Sequence, residues 1–509
     1  MTSSAPPSSA SLAASSPSSS APALSRVEHS RIALLEYAHN FPTWGWAILP
    51  VTGFVFAALA GWVTSRYAPQ AAGSGIPHLK GVLLHVRSLN WRRVMPVKFF
   101  GGLMGNFSGL CLGREGPTVQ MGAAAAQMLA PVMRTPKRDV NQLLSAGAGA
   151  GLAAAFNAPL AGLVFVIEEL HREFSSRTAM GSLIAAVIAT VIAQYFTGDS
   201  AAFEAKGLHA LPLGLLPLTV PLGVGAGLGG VLFNRALLSS AAAAAALQKR
   251  QPVWRWLLPG LIGALICLLA WWIPQAPGPG TILAESILQN SVKLGFWSLG
   301  ALLVLKFILT SISYATGAPG GMFAPMLLFG VLMGAMSAAF IERFFPVTGV
   351  TATSLAVLGM AGFFVGSVRV PLTGIVLISE LTGGYELLLP ICIVTLLAYV
   401  TAWALRDEPL YEALLEADLH RNGTHAPDAL GDEGRSLYLS VQSGSPVAGQ
   451  PISSAGFPTG CLIVGVERAG RTLLPVDELI IAPGDHISVL IPDTRPRDAM
   501  VVAARCVGI

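Results

Sequence analysis

One carboxylate stands where the chain offers it no water. Glu115 lies in "GREGP" (Gly113–Pro117), between the apolar stretches "FFGGLMGNFSGLCL" and "TVQMGAAAAQML". A carboxylate buried in such surroundings is costly unless it is paired or its charge is used. The neighbouring Gly113 and Gly116 leave backbone amides uncovered, and Pro117 fits the first turn of a helix, where its missing N–H costs nothing. A helix starting there aims free N–H groups and the positive end of its dipole at whatever precedes it. Such an end binds an anion without a formal positive charge. "GSGIP" (Gly73–Pro77) and "GGMFAP" (Gly320–Pro325) repeat the arrangement of small residues, proline and apolar helix. Three helix starts of this form can converge on one anion, with Glu115 as a tethered carboxylate competing for the same site.

Other chemistries fit less well. A phosphate-cradling loop needs a lysine after its last glycine, and "GREGPT" has none. Glu168 and Glu169 do not make a glycosidase pair, because adjacent residues point to different faces of a helix. The purely structural alternative is that Glu115 forms a buried ion pair with Arg114. Five cysteines (Cys111, Cys267, Cys392, Cys461, Cys506) lie far apart, and the nine histidines are scattered. They give neither a disulfide framework nor metal-ligand spacing, so no metal and no cofactor are expected. A net charge of +4 without a basic, aromatic-interleaved run excludes nucleic acid as a partner. No catalytic constellation emerges, and the chain is not expected to be an enzyme.

The elements that must position Glu115 are membrane helices. Of 509 residues, 53% are hydrophobic and only 11% charged, against roughly 25% charged in a soluble domain. Mean hydropathy is +0.63. From Trp44 to Ala404 apolar segments alternate with short polar breaks, and "WGWAILPVTGFVFAALAGWV" approaches the about 20 residues needed to span a bilayer core. Glycine and proline interrupt others at "GSGIP", "GREGP", "FNAPLAG", "GAPGGMFAP" and "VRVPLTG". Irregular backbone at membrane depth persists only where protein buries it or where it lines a cavity. Broken helices therefore point to a transporter or channel rather than an anchor. Residues 1–24, rich in Ser, Ala and Pro, lack the regions of a standard signal peptide and are expected to be disordered.

An internal repeat supports this reading. "GREGP" is followed by "GLAAAFNAPLAGLVFVIEEL", and "GMFAP" by "GFFVGSVRVPLTGIVLISEL". Setting Pro117 on Pro325 places Glu115 opposite Phe323; setting Pro159 on Pro371 places Glu168 opposite Glu380. Duplicated halves with matching helix breaks mark a transporter's midplane binding site. After Tyr411 the character changes. Residues 421–435 read as a polar linker, and 436–509 as a small soluble α/β domain whose strands are expected at "CLIVGVE", "ELIIA" and "HISVLI".

"GSGIP", "GREGP" and "GGMFAP", in this order and joined by "GLAAAFNAPLAG", resemble the anion-pathway signatures of the CLC family of chloride channels and chloride/proton antiporters. The likeness covers Trp44 to Tyr411. It implies an all-α polytopic membrane protein, an inverted repeat of about eighteen tilted and broken helices over residues 25–420, and one pore per subunit of a homodimer. Carried over residue by residue, Ser74 and Tyr411 offer hydroxyls to a central chloride, and Met322 and Phe323 offer backbone amides. The amides around Arg114, Glu115 and Gly116 form an outer site that ionised Glu115 fills. Glu169, opposite Leu381 in the second repeat, matches the glutamate that passes protons inward in the family's antiporters; the channels usually carry an apolar residue there. The resemblance thus implies chloride and protons as transported ions, with a passive voltage- or pH-gated chloride channel as the alternative.

The tail, 436–509, resembles the C-terminal lobe of RCK (TrkA-C) domains, which implies regulation by a small molecule or through the dimer. It also sustains a different class, a cation transport protein with an RCK tail, although no potassium-filter sequence such as TVGYG is present. The expected location is the cell (inner) membrane, in contact with lipid, with both termini cytoplasmic. Lys80, Arg87, Arg92, Arg93 and Lys98 fall in one connection, which the positive-inside rule assigns to the cytoplasm.

Overall fold

Proline and glycine decide where the helices stop. The computed structural model describes residues 22–507 apart from 42–43, 137–138, 173, 199–202, 204, 206–207, 293, 345–350, 423–434, 459–460, 469–470 and 492–496. The first half holds α1 (Pro22–His39), α2 (Gly45–Tyr67), α3 (Ile76–Leu83), α4 (Trp91–Phe107), α5 (Glu115–Leu129), α6 (Val140–Phe156), α7 (Pro159–Phe165) and α8 (Ser176–Thr197). A π-helical turn, Val166–His171, prolongs α7. The second half repeats the order: α9 (Thr219–Arg250), α10 (Trp254–Ala270), α11 (Thr281–Leu288), α12 (Phe296–Ala315), α13 (Phe323–Phe344), α14 (Ala352–Val368), α15 (Pro371–Thr382) and α16 (Leu388–Ala404). Then comes α17 (Leu410–Asn422). Six of the described helices are long and apolar enough to cross a membrane. Helices α3, α7 and α11, of seven or eight residues each, are too short to do so.

Local sequence explains these starts. Gly75, at φ 88°, turns the chain into α3, and Pro77 sits in that helix's first turn. Pro159 opens α7 and Pro371 opens α15, each after a residue held left-handed, Asn157 (φ 56°) and Arg369 (φ 70°). Small residues then let neighbouring helices touch through their backbones. Gly122 of α5 packs on Gly147 of α6, and Gly330 of α13 packs on Gly359 of α14 in the same way.

The two halves face each other about a pseudo-twofold axis. Gly113 and Gly321, equivalent once Pro117 is set on Pro325, pair antiparallel: each amide donates to the other's carbonyl, at 2.7 and 2.6 Å. Equivalent positions meet head-on only where the repeats are related by a twofold. Glu168 and Glu380 confirm it by capping each other's repeat. Glu168 accepts from the amides of Leu372 and Thr373 at the start of α15 (3.0 and 2.6 Å) and from the Thr373 hydroxyl (2.7 Å). Glu380 accepts from Leu160 and Ala161 at the start of α7 (3.1 and 2.8 Å). Carboxylates at helix N-termini satisfy orphan amides and complement the dipole.

The tail is a four-stranded antiparallel sheet with one helix. Strands β1 (Arg435–Ser440), β2 (Leu462–Arg468), β3 (Arg471–Leu473) and β4 (His486–Ile491) lie in the order β1-β4-β2-β3, followed by α18 (Arg497–Val507). "CLIVGVE" and "HISVLI" form strands as expected, but "ELIIA" does not. Ile480 makes one isolated bridge to Pro451, and the stretch ends in the turn around Asp485. The sheet is completed by β1 and β3, which the sequence reading missed. Helix α1 begins at Pro22, inside the stretch expected to be disordered, while residues 1–21 lie outside the described residues. The expected linker is narrower than 421–435, since α17 runs to Asn422 and β1 starts at Arg435; 423–434 lie outside the description. Val86, Leu415 and Leu419 share one apolar cluster with Leu437, Ile487 and Val502, so the tail packs directly on the membrane part.

Candidate functional site

The three proline-marked loops are tied to one another by their backbones. Besides the Gly113–Gly321 pair, the Gly320 amide donates to Gly73 O at 3.0 Å. "GREGP", "GGMFAP" and "GSGIP" thereby converge, and the starts of α5, α13 and α3 open toward a common centre. Gly116 makes the close approach possible: a Cβ there would lie 2.7 Å from Ser74 O and overlap the Ser74 hydroxyl. The first amides of α5 and α13 have no carbonyl within their own helices to bond.

Around that centre sit three buried polar atoms with no hydrogen-bond partner within 3.5 Å, Ser74 Oγ, Tyr411 OH and Glu115 Oε2, the two hydroxyls being near enough to interact with each other. Ser74 and Tyr411 are fully buried, and Glu115 is 1% exposed. Buried polar groups in proteins are almost always bonded, so a group of three orphans marks a place for a ligand. Glu115 holds its carboxyl over the start of its own helix and against the Ala324 amide of α13, so it lies across two helix N-termini. Phe323, at the start of α13, stacks near Tyr411 with centroids 6.2 Å apart. Met322 precedes it, fully buried. Arg114 does not pair with Glu115; its guanidinium donates to Ala155 O at 3.2 Å. Among the described residues no salt bridge joins the two, although the Arg114 charge still acts on Glu115.

Glu169 is the second buried carboxylate near Tyr411. Its side chain is 1% exposed and its Oε1 accepts from Lys80 Nζ at 2.8 Å, while Oε2 is unpartnered. Tyr411 stands within electrostatic reach of both Glu115 and Glu169. The structure thus brings together Ser74, Glu115, Gly116, Met322, Phe323 and Tyr411, with the Arg114 guanidinium half-buried near Glu115 and its Nη1 unpartnered.

The basic cluster is not what its sequence suggested. Lys80 is spent on Glu169, and Arg87 pairs with Asp418 at 2.7 Å. Lys98 is buried inside α4, where it donates to Ala71 O (2.9 Å) and Gly73 O (2.7 Å). Only Arg92 and Arg93 remain exposed. A lysine near other cations reads the same from sequence whether it reaches water or a carbonyl. Lys98 anchors the "GSGIP" loop and was missed; the available signal was a lone lysine before "FFGG" in an apolar helix. Its partner in the repeat is Lys306, which donates to Ala276 O and Gly278 O at 3.0 and 2.9 Å.

A cavity of about 670 Å³ leads from solvent to Gly73 and Gly75 beside Ser74. Arg93, Lys249, Arg255 and Arg421 line it. It lies on the face where α17 leaves the membrane part, giving an anion a basic approach to the site.

Residues 11–403 match the family model described as "Voltage gated chloride channel", and residues 437–495 match the "TrkA-C domain" model. A relative from Yersinia pestis bv. Antiqua (strain Angola), named "H(+)/Cl(-) exchange transporter ClcA", is 36% identical over 398 residues, covering 77% of this chain and 82% of the relative. A protein of the same name from Vibrio cholerae serotype O1 (strain M66-2) is 39% identical over 388 residues, covering 75% and 82%. Among solved structures, a slow cyanobacterial Cl⁻/H⁺ antiporter superposes with a TM-score of 0.74 at 32% identity, covering 79% of this chain and 93% of that one. A eukaryotic CLC transporter, at 24% identity and a TM-score of 0.64, shares the fold; it covers 78% of this chain and 70% of its own.

Proposed function

The chain belongs to the voltage-gated chloride channel family, as a multi-pass integral membrane protein, and on that premise we propose that it exchanges chloride for protons. The observation that carries this is the trio of buried, unpartnered atoms, Ser74 Oγ, Tyr411 OH and Glu115 Oε2, where three helix starts meet. Two hydroxyls and a ring of amides suit a halide. Ionised Glu115 competes with it, lying across the starts of α5 and α13. Protonated, it loses that attraction and swings out, admitting chloride.

Glu169 supplies the second proton station. It is buried, carries a free oxygen, and like Glu115 acts electrostatically on Tyr411. Protons and chloride thus share the Glu115 end and part company toward the basic cavity. The relatives named as H⁺/Cl⁻ exchangers support the same reading. A passive channel would leave Glu169 without work. Chloride, held by Ser74, is the preferred anion. The basic face of Arg93, Lys249, Arg255 and Arg421 is read as cytoplasmic, keeping the exposed part of the sequence cluster and adding three cations distant in sequence. That puts the tail in the cytoplasm. The exposed apolar faces of α8 and α16 suit lipid or a second copy in a homodimer.

Reconstituted vesicles test this directly. A chloride gradient should drive protons uphill in the wild type. Glu115→Gln should keep chloride flux and lose proton flux, and Glu169→Gln should also lose proton flux. Uphill proton movement by Glu115→Gln would refute the assignment.

A further inference from the structure

Glu169 does not stand alone: a chain of contacts joins it to the tail. Lys80 Nζ lies 2.8 Å from Glu169 Oε1 and 3.4 Å from Glu412 Oε1, so one ammonium is shared between two carboxylates. The Arg172 guanidinium pairs with the same Glu412 oxygen. Arg172 ends the π-helical turn that carries Glu169, with its backbone held left-handed at φ 55°. Its carbonyl accepts a hydrogen bond from the side chain of Gln442, in the tail just after β1. Glu412 adjoins Tyr411 at the start of α17, the helix that leads into the tail. Lys80, in turn, sits on α3, whose start carries Ser74.

We propose that Lys80 is a positioning residue for proton transfer, shared between Glu169 and Glu412, and that the tail sets this sharing through Gln442 and Arg172. The proposal rests on Glu169 being the internal proton-transfer residue. While Lys80 holds Glu169, its ammonium occupies one carboxylate oxygen and opposes an incoming proton. When Lys80 shifts toward Glu412, Glu169 is free to take one up. Arg172 competes with Lys80 for Glu412, so how firmly Arg172 is held decides where Lys80 rests. Gln442 fixes the backbone of Arg172. A ligand or dimer contact that moves the tail sheet would therefore change proton transfer without touching the chloride site. The geometry suits this because every member is half-buried or buried, where charge–charge coupling is little screened.

The test uses the full chain in vesicles and reads the ratio of proton to chloride flux. Lys80→Met removes the cation whose return to Glu169 drives the proton off again, so the ratio should fall at least fivefold, and Lys80→Arg should restore most of it. Gln442→Ala lies outside the ion pathway and guards against a folding defect at Lys80. It should change proton flux at least twofold when Lys80 is present and have no effect beside Lys80→Met. An unchanged ratio in Lys80→Met, with Glu169→Gln still uncoupling, overturns the role of Lys80. An equal Gln442→Ala effect with and without Lys80 overturns the tail linkage. Intact proton flux in Glu169→Gln overturns the underlying reading of Glu169 and the proposal with it.

Discussion

Lys98→Met isolates what a buried cation contributes to anion binding. The Lys98 ammonium donates to Ala71 O and Gly73 O and has no carboxylate partner among the described residues. An anion on the Ser74 hydroxyl, one residue beyond Gly73, lies on the order of 7 Å away, given about 3.8 Å between consecutive Cα atoms. At an effective dielectric of about 20, a unit charge at that distance is worth about 2 kcal/mol. Lys98→Met should therefore weaken chloride binding about thirtyfold, read by isothermal titration of chloride into the purified protein. Lys306→Met supplies the control. Lys306 ties down the equivalent loop of the second repeat, where Pro279 replaces Ser74 and no hydroxyl awaits an anion. Both variants leave carbonyls without donors and should cost similar stability, but Lys306→Met should weaken chloride binding several-fold less. If Lys98→Met binds chloride within threefold of wild type, or if both lose affinity equally, the electrostatic role of Lys98 is refuted.

Ser74→Pro removes the hydroxyl donor and should shift coupling toward nitrate; a wild type that already couples nitrate as tightly as chloride would contradict the preference. Glu168→Ala strips acceptors from two amides and a hydroxyl at the start of α15 and should cost about 3 kcal/mol, more than Glu380→Ala, which strips two. Thermal unfolding in detergent ranks them. In the tail, burial acts to raise the Asp485 carboxyl, but two bonds from Arg468 and one from the Ala482 amide hold it below the usual range. A depressed folded value contributes stability above the unfolded value of about 3.9, lost as pH falls through the folded one. Asp485→Asn should make the tail more sensitive to protease by about 2 kcal/mol at neutral pH and remove the further loss seen in wild type below about pH 4.

What was legible in the sequence was local. Glycine and proline at "GSGIP", "GREGP" and "GGMFAP" specify where helices begin, because they act on their own backbone. The repeat was legible because Glu168 and Glu380 hold the same place in both halves, and the structure shows them capping each other. What stayed hidden was decided by partners distant in sequence. Lys80 meets Glu169 only once α3 packs beside the π-helical turn, and Lys98 meets Gly73 O only once α4 folds back. "ELIIA" looked like a strand because its composition is that of one, yet the sheet took β1 and β3 instead and left Ile480 with a single bridge. β-propensity describes a half-buried surface and not the pairing that uses it.

The two repeats build one symmetric backbone and place the chemistry on one side of it. Gly73 and Gly75 have the same left-handed turns as Gly278 and Gly280, and Lys98 and Lys306 tie down the two loops alike. Yet Ser74 faces Pro279, Glu115 faces Phe323, Lys80 faces Glu285 and Glu169 faces Leu381. The second repeat keeps the helix starts and discards the side chains that bind or titrate. Its Phe323 still serves the site through its place at the start of α13. A duplicated scaffold brings helix N-termini together from both sides of the axis, which neither half can do alone. Had both copies kept a glutamate there, two carboxylates would meet at the Gly113–Gly321 contact and repel each other. Replacing one by phenylalanine leaves a single carboxylate at that contact, and under the exchange mechanism proposed above the asymmetry of Glu169 would give it one inward proton path.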